Sequence, residues 1–187
     1  MPLPALILIS GLSCTGKSTL AQKISTKFCL PCFSKDMFKE ALFDRLGYSD
    51  RSWSQQLGRA SYDIMYLIAQ NLLCTGHSLI LESNFKADFD RPRLLQIKRS
   101  TPFRSLEILC FAQGEILFER FKQRALSGLR HPGHVDNLCL QEQQAVLSSG
   151  VCPPLTIGPV IKVNTTDFEK VRYPQVLTRV KQFISGK

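Results

Sequence analysis

Residues 6–20 run Leu6-Ile7-Leu8-Ile9-Ser10-Gly11-Leu12-Ser13-Cys14-Thr15-Gly16-Lys17-Ser18-Thr19-Leu20. Four consecutive apolar residues lead into Gly11-x-x-x-x-Gly16-Lys17-Ser18, the G-x-x-x-x-G-K-[ST] pattern in the strand–loop–helix setting it needs. Gly11 and Gly16 let the backbone take conformations closed to other residues, so that successive amides converge on an anion. A helix opening near Gly16 points its unpaired N–H groups and positive dipole end at the same anion. The expected phosphate cradle is therefore Gly11, Leu12, Ser13, Cys14, Thr15, Gly16, Lys17, Ser18 and Thr19. Lys17 supplies a mobile charge at the β- and γ-phosphates, and the Ser18 hydroxyl is a ligand for Mg²⁺.

The rest of the composition fits a nucleotide-binding domain. A chain of 187 residues with 44% hydrophobic content suits one domain, 1–187, with a sizeable core. No apolar run reaches membrane-spanning length, and the first one ends in the phosphate loop rather than a cleavage site, so a cytoplasmic protein without a membrane partner is expected. The seven cysteines are odd in number and scattered, which favours small buried thiols over a disulfide framework. Cys29 and Cys32 have redox or half-zinc spacing, yet no second pair or histidine cluster completes a site. With 24 basic against 15 acidic residues the net charge is +9, pointing to anionic partners such as nucleotides, phosphorylated metabolites or nucleic acid. The charge is spread along the chain without a basic tail, so an extended nucleic acid is the less favoured partner.

Strand-like apolar runs recur at 5–10, 31–34, 78–82, 106–112 and 159–164. Helical periodicity fills 17–28, 36–46, 53–74, 92–99, 115–127, 137–147 and 174–184. This alternation predicts βαβ units, and hence a three-layer α/β/α fold with a parallel sheet of about five strands. Gly128, Pro132 and Gly133 break the pattern, so 128–136 is expected to be the mobile tip of a lid spanning about 120–136. Ligands in such sheets sit beyond the carboxyl ends of the strands, which directs attention to the residues there.

After the second strand, Asp36 suits either an N-cap or a general base facing the γ-phosphate across the cleft. Lys39, one turn on, falls on the same side, either solvated or holding an anionic acceptor. After the third, Glu82 is placed to hold Mg²⁺ or its water shell, with Ser83, Asn84 and Phe85 following. Arg120 and Arg124 share a helix face near the glycine-containing tip and are expected to close over the transferring phosphoryl group. His131 and His134 lack a metal-like partner set. Asn164, Thr165 and Thr166 follow the last strand, where a loop borders the expected adenine position.

Taken in order, these pieces resemble the small P-loop kinases of the predicted-kinase group related to 5′-polynucleotide kinases, chloramphenicol phosphotransferases and zeta toxins. The resemblance runs along nearly the whole chain and rests on residues 11–18, Lys35-Asp36-Met37-Phe38-Lys39, Glu82-Ser83-Asn84-Phe85, Arg120 with Arg124, and Arg130-His131-Pro132-Gly133-His134. It implies an ATP-dependent phosphotransferase in which Asp36 is the catalytic base, Lys39 takes the place of an acceptor-binding arginine, and Arg120 and Arg124 are lid arginines. The lysine at 39 and the glutamate at 82 depart from the polynucleotide kinase pattern, and count against a nucleic-acid acceptor. The expected activity is transfer of the γ-phosphate of ATP, with Mg²⁺, to a hydroxyl of an unidentified small-molecule or nucleotide-like acceptor. A 5′-hydroxyl polynucleotide kinase and a nucleotide-sensing module without a small-molecule acceptor remain as alternatives.

Overall fold

The structure, a computed structural model, describes residues 3–186. Its elements follow the order β1 (Ala5–Gly11), α1 (Lys17–Phe28), β2 (Cys32–Ser34), α2 (Lys35–Leu46), α3 (Arg51–Cys74), β3 (Leu79–Glu82) and α4 (Ala87–Ser100). Then come β4 (Arg104–Phe111), α5 (Gly114–Leu126), α6 (Leu140–Leu147), β5 (Val160–Asn164) and α7 (Tyr173–Ile184). All strand pairs are parallel and the order across the sheet is β2-β3-β1-β4-β5, giving the three-layer α/β/α architecture.

Side-chain alternation along β1 builds both cores at once, because neighbouring residues point to opposite faces. Leu6 and Leu8 pack with Met65, Tyr66 and Ala69 of α3 and Leu94 of α4. Ile7 and Ile9 pack with Leu20 and Ile24 of α1 and Val176 and Val180 of α7. With every residue of β1 buried, the strand can only be central, and the loop that follows it emerges at the middle of the sheet. The register aligns Ile9 and Ser34 with Glu82, so β2 and β3 finish at one level while β1 runs two residues further, to Gly11. That shared level is what brings the strand-end residues together.

Three local readings change. The helix expected at 92–99 begins at Ala87, with Pro92 inside it. Proline removes one N–H there, but the Asp90 carboxylate accepts from Lys86 N and anchors the first turn. The helix expected at 137–147 starts at Leu140, because Asp136–Cys139 winds as a 3-10 turn after Val135, whose φ of 50° breaks the helical path. The cysteines are free thiols, but only Cys110 and Cys139 are buried; Cys29 and Cys74 stand exposed at the C-terminal ends of α1 and α3. Among the described residues, no helix is long and apolar enough to cross a membrane.

Candidate active site

The phosphate loop is shaped from behind. Gly11 takes a φ of 142°, and a Cβ there would lie 2.3 Å from the carbonyl oxygen of Cys110, so no side chain fits. Gly16, at φ 75°, ends the loop as the N-cap of α1. Thr15 Oγ1 and Lys17 Nζ each donate to the Leu12 carbonyl at 2.8 Å, folding the loop onto itself. Gly11, Leu12 and Thr15 thus set the curvature, while Ser13, Cys14, Gly16, Lys17, Ser18 and Thr19 line a cavity of about 360 Å³.

Across that cavity stand the strand-end acids. Glu82, the last residue of β3 and 7% exposed, accepts from Ser18 Oγ at 3.1 Å. Burial raises its pKa, with Asp36 adding to the rise and Lys17 opposing it. A hydroxyl beside one carboxylate is a hard-oxygen donor set that suits Mg²⁺, an ion that keeps several waters and takes phosphate oxygens for the rest. Among the described residues, no cluster of three or more His, Cys, Asp or Glu forms a closed metal cage.

Asp36 is not the cap of α2. Ser34 is: its Oγ accepts from Met37 N at 3.0 Å, and the helix begins at Lys35. Relieved of capping, the Asp36 carboxylate points into the cavity with Lys35 Nζ 2.6 Å from Oδ1 and Arg130 Nη2 2.8 Å from Oδ2. Burial works against its charge, but the Lys35 and Arg130 cations outweigh that and hold it well below the usual carboxylate range.

The segment beyond α5 is docked on α2. Residues Pro132–His134 form a 3-10 turn in which a Cβ on Gly133 would come within 2.5 Å of the Phe43 ring. The His131 ring stacks on Phe43 with centroids 5.1 Å apart, and its Nε2 lies 3.1 Å from Asp44. His134, 4% exposed, receives Arg130 at Nδ1 and meets Glu40 at Nε2. That pairing fits the neutral ring, and burial together with Arg130 pushes the His134 pKa down to about 3.

The two arginines expected to act as a pair have different partners. Arg124 Nη2 donates to Asp136 at 3.0 Å, and Arg130 Nε lies 3.2 Å from the same carboxylate, an ion-pair contact without hydrogen-bond geometry. Arg120 is fixed on the other side: it donates to the carbonyls of Thr165 and Thr166, both at 2.9 Å, and stacks 3.9 Å over Phe168. Phe168 abuts Gly16, which puts an aromatic platform beside the phosphate loop. Both arginines line the cavity. Lys35, Arg130 and Phe168 also line it and were not singled out as site residues from the sequence. Arg130 had a signal there, since it opens the stretch that ends at His134.

A family model described as an AAA domain matches residues 6–149. The crystal structure of a "putative kinase" from Chloroflexus aurantiacus is 41% identical, covering 97% of this chain and 98% of its own, with a TM-score of 0.92. Kti12 from Chaetomium thermophilum, solved in complex with ADP-AlF3, is 19% identical over 96% of this chain and 98% of its own, with a TM-score of 0.68. A gluconokinase from Sinorhizobium meliloti is 14% identical over 96% and 95%, with a TM-score of 0.53. These last two share the fold alone. No curated protein matches the chain.

Proposed function

The chain belongs to the AAA-domain family and carries the fold of the small P-loop kinases, and from that premise we propose that it transfers the γ-phosphate of ATP to a hydroxyl group of a small-molecule or nucleotide-like acceptor. The observation that carries the reading is Asp36: a charged carboxylate, free of capping duty, in the same cavity as Lys17 and Ser18. A nucleotide switch needs no such group opposite its phosphates, whereas an acceptor hydroxyl must be oriented and must lose a proton.

In this mechanism the amides of residues 13–18 and the Lys17 ammonium hold the β- and γ-phosphates. Ser18 and Glu82 would hold Mg²⁺ through their oxygens, and the ion would supply charge neutralisation at the phosphates. Asp36 accepts a hydrogen bond from the acceptor hydroxyl. Although Lys35 and Arg130 occupy one direction at each carboxylate oxygen, each oxygen keeps a second lone pair for that hydroxyl. The hydroxyl oxygen forms its bond to the γ-phosphorus as the bond to the β–γ bridging oxygen breaks, and the hydroxyl proton passes to Asp36. A carboxylate so far below its usual range is a weak base, which suits a loose transition state in which orientation matters more than proton abstraction. Arg124 and Arg130 face the transferring group and stabilise its charge, and Arg120 acts from the nucleotide side. The whole chain, 1–187, serves as one kinase domain, with residues 120–136 as its lid.

The test is transfer of label from γ-labelled ATP to a panel of hydroxyl compounds, with Lys17→Ala as the control. Labelled product from at least one acceptor, reduced on the order of a thousandfold by Lys17→Ala, is the expected result. ATP binding without any labelled product would favour a nucleotide-sensing module, and labelled 5′ ends on oligonucleotides alone would favour a polynucleotide kinase.

A further inference from the structure

The contact between Arg130 and Asp36 is one side of a closed ring of side chains. Asp36 and Glu40 are four residues apart on α2 and so lie on one face of it. Opposite them, Arg130 and His134 are joined through the Pro132–His134 turn. Arg130 Nη2 donates to Asp36 Oδ2 at 2.8 Å and lies 3.0 Å from His134 Nδ1, while His134 Nε2 lies 2.8 Å from Glu40 Oε1. Arg130 Nε faces Asp136 without a hydrogen bond, and Nη1 makes none among the described residues. Arg130 lines the nucleotide cavity, whereas His134 and Glu40 stand behind it.

A guanidinium carries only donors, so His134 Nδ1 must accept, and the ring proton sits on Nε2 and is donated to Glu40. The carboxylate thereby fixes which nitrogen is free to accept. The surroundings keep the ring neutral: Arg130, Lys35 and Lys39 stand near it against Asp36 and Glu40, and it is nearly out of contact with solvent. Lys39 is itself buried and donates to Ser54 Oγ at 2.8 Å. An apolar side chain could pack edge-on against Phe43 as the imidazole does, with centroids 5.5 Å apart, at a lower desolvation cost. It could not accept from Arg130. With Asp36 and His134 together taking both protons of Nη2, the guanidinium plane is fixed by two acceptors, and the N–H groups of Nη1 are left for a phosphoryl oxygen.

We propose that His134 and Glu40 are positioning residues for phosphoryl transfer: Glu40 sets the His134 tautomer, and His134 Nδ1 holds Arg130 so that its remaining N–H groups meet the γ-phosphate as charge develops there. This rests on the kinase reading above. Both residues act through Arg130, and a misplacement of about 1 Å in such a group can cost on the order of a hundredfold in rate.

The full chain is titrated by calorimetry with ADP and Mg²⁺, with and without aluminium fluoride as a mimic of the transferring phosphoryl group, and separately with a non-hydrolysable ATP analogue. An asparagine at 134 brings its amide oxygen to where Nδ1 stands, whereas a glutamine brings its amide to the Nε2 end, so the two variants separate the two contacts. The native chain should bind ADP more tightly with aluminium fluoride than without it. That advantage should fall by on the order of tenfold or more in His134→Gln, by about fivefold in Glu40→Ala, and stay within about threefold of native in His134→Asn. Affinity for the ATP analogue should move by less than about threefold in all three, since the contact is made chiefly in the transition state. The Glu40 side chain is 40% exposed, so its variant carries little folding risk. If His134→Asn and His134→Gln lose the advantage equally, or Glu40→Ala loses none of it, the two residues only pack the turn on α2; the proposal is then overturned and the kinase reading stands. If the native chain gains nothing from aluminium fluoride, the transfer reading falls and the proposal falls with it.

Discussion

Arg130 donates from Nη2 to the Asp36 carboxylate at 2.8 Å, a contact between residues 94 positions apart. It does two things at once. It ties the segment after α5 to the first turn of α2, closing one side of the nucleotide cavity. It also helps Lys35 keep the Asp36 carboxylate ionised despite burial. The neighbouring Asp136 sits against both Arg130 and Arg124, so the closed segment brings two guanidinium groups to the wall where Asp36 stands.

Arg130→Met should therefore lower kcat for label transfer by on the order of a hundred- to a thousandfold, the range seen when one preorganised donor is removed from a transition-state site. The KM for ATP should change little. Arg130→Lys should restore only part of the rate, because a point charge cannot span Asp36 and Asp136 as a fork does. Steady-state kinetics on the three proteins decide this, and a normal kcat in Arg130→Met would remove Arg130 from the reaction.

Asp36→Asn should leave α2 intact because Ser34 carries the cap. The fold and ATP affinity should be close to native, while transfer should fall by on the order of a hundredfold or more, because a neutral amide orients the hydroxyl less strongly than a carboxylate and takes no proton. Ser34→Ala makes the complementary case, destabilising the protein by about 1 kcal/mol through the lost cap. Urea titrations and label transfer on both variants separate the two roles. Native transfer by Asp36→Asn would contradict the assignment of the base.

Which of these residues the sequence could identify follows from how local their causes are. The phosphate loop was legible because strand, glycines, lysine and serine are contiguous, and Glu82 because it ends an apolar run in a predicted parallel sheet. The cap of α2 was ambiguous because Ser34 and Asp36 are both good caps two residues apart, and only the backbone at Ser34, extended at φ −104° and ψ 147°, decides between them. The pairing of Arg130 with Asp36 and the anchoring of Arg120 on Thr165 and Thr166 depend on how distant segments dock, so no local pattern encodes them. The expected lid tip was legible as a break in periodicity. Its docking on Phe43 was not, since that depends on Gly133 leaving room for a ring from another helix.

His134 makes the docked segment sensitive to acid. Its folded pKa of about 3 lies below the unfolded value of 6.5, so the native state binds fewer protons as pH falls through that window. Its contribution to stability is full above about pH 6.5 and declines steadily towards pH 3, a loss of about 2–3 kcal/mol by pH 4.5 at 1.36 kcal/mol per unit. Asp36, held below its ordinary value, adds a further loss only at more acidic pH. Thermal melts of the native chain and His134→Gln from pH 7 to pH 4.5 should show a flatter profile in the variant. Parallel profiles would mean that His134 does not titrate with unfolding.

Gly133→Ala tests the docking by volume alone. The added methyl would lie 2.5 Å from the ring of Phe43, which is 1% exposed. Overpacking of this kind destabilises by about 1–3 kcal/mol. If the turn detaches instead, stability is largely kept and transfer falls, because Arg130 leaves Asp36. Denaturant midpoints and label transfer together detect either result, and a variant native in both would show that the turn is not packed on Phe43 in solution.

Arg120 and Arg124 lie one turn apart on α5, yet their surroundings give them different kinetic signatures. Arg120 is held by two carbonyls and flattened over Phe168 beside Gly16, so on the proposed reading it acts on bound nucleotide in ground and transition states alike. Removing it should raise the KM for ATP about tenfold with a smaller change in kcat, the pattern of uniform binding lost. Phe168→Ala should reproduce that pattern, because the stacked pair acts as a unit. Arg124 instead shares Asp136 with Arg130, which in turn contacts Asp36, the proposed base. Arg124→Ala should lower kcat and kcat/KM together by about a hundredfold, as expected for an interaction made chiefly in the transition state. Steady-state kinetics over a range of ATP concentrations distinguish the two. If both variants moved kcat alone, Arg120 and Arg124 would be an equivalent pair closing over the phosphoryl group.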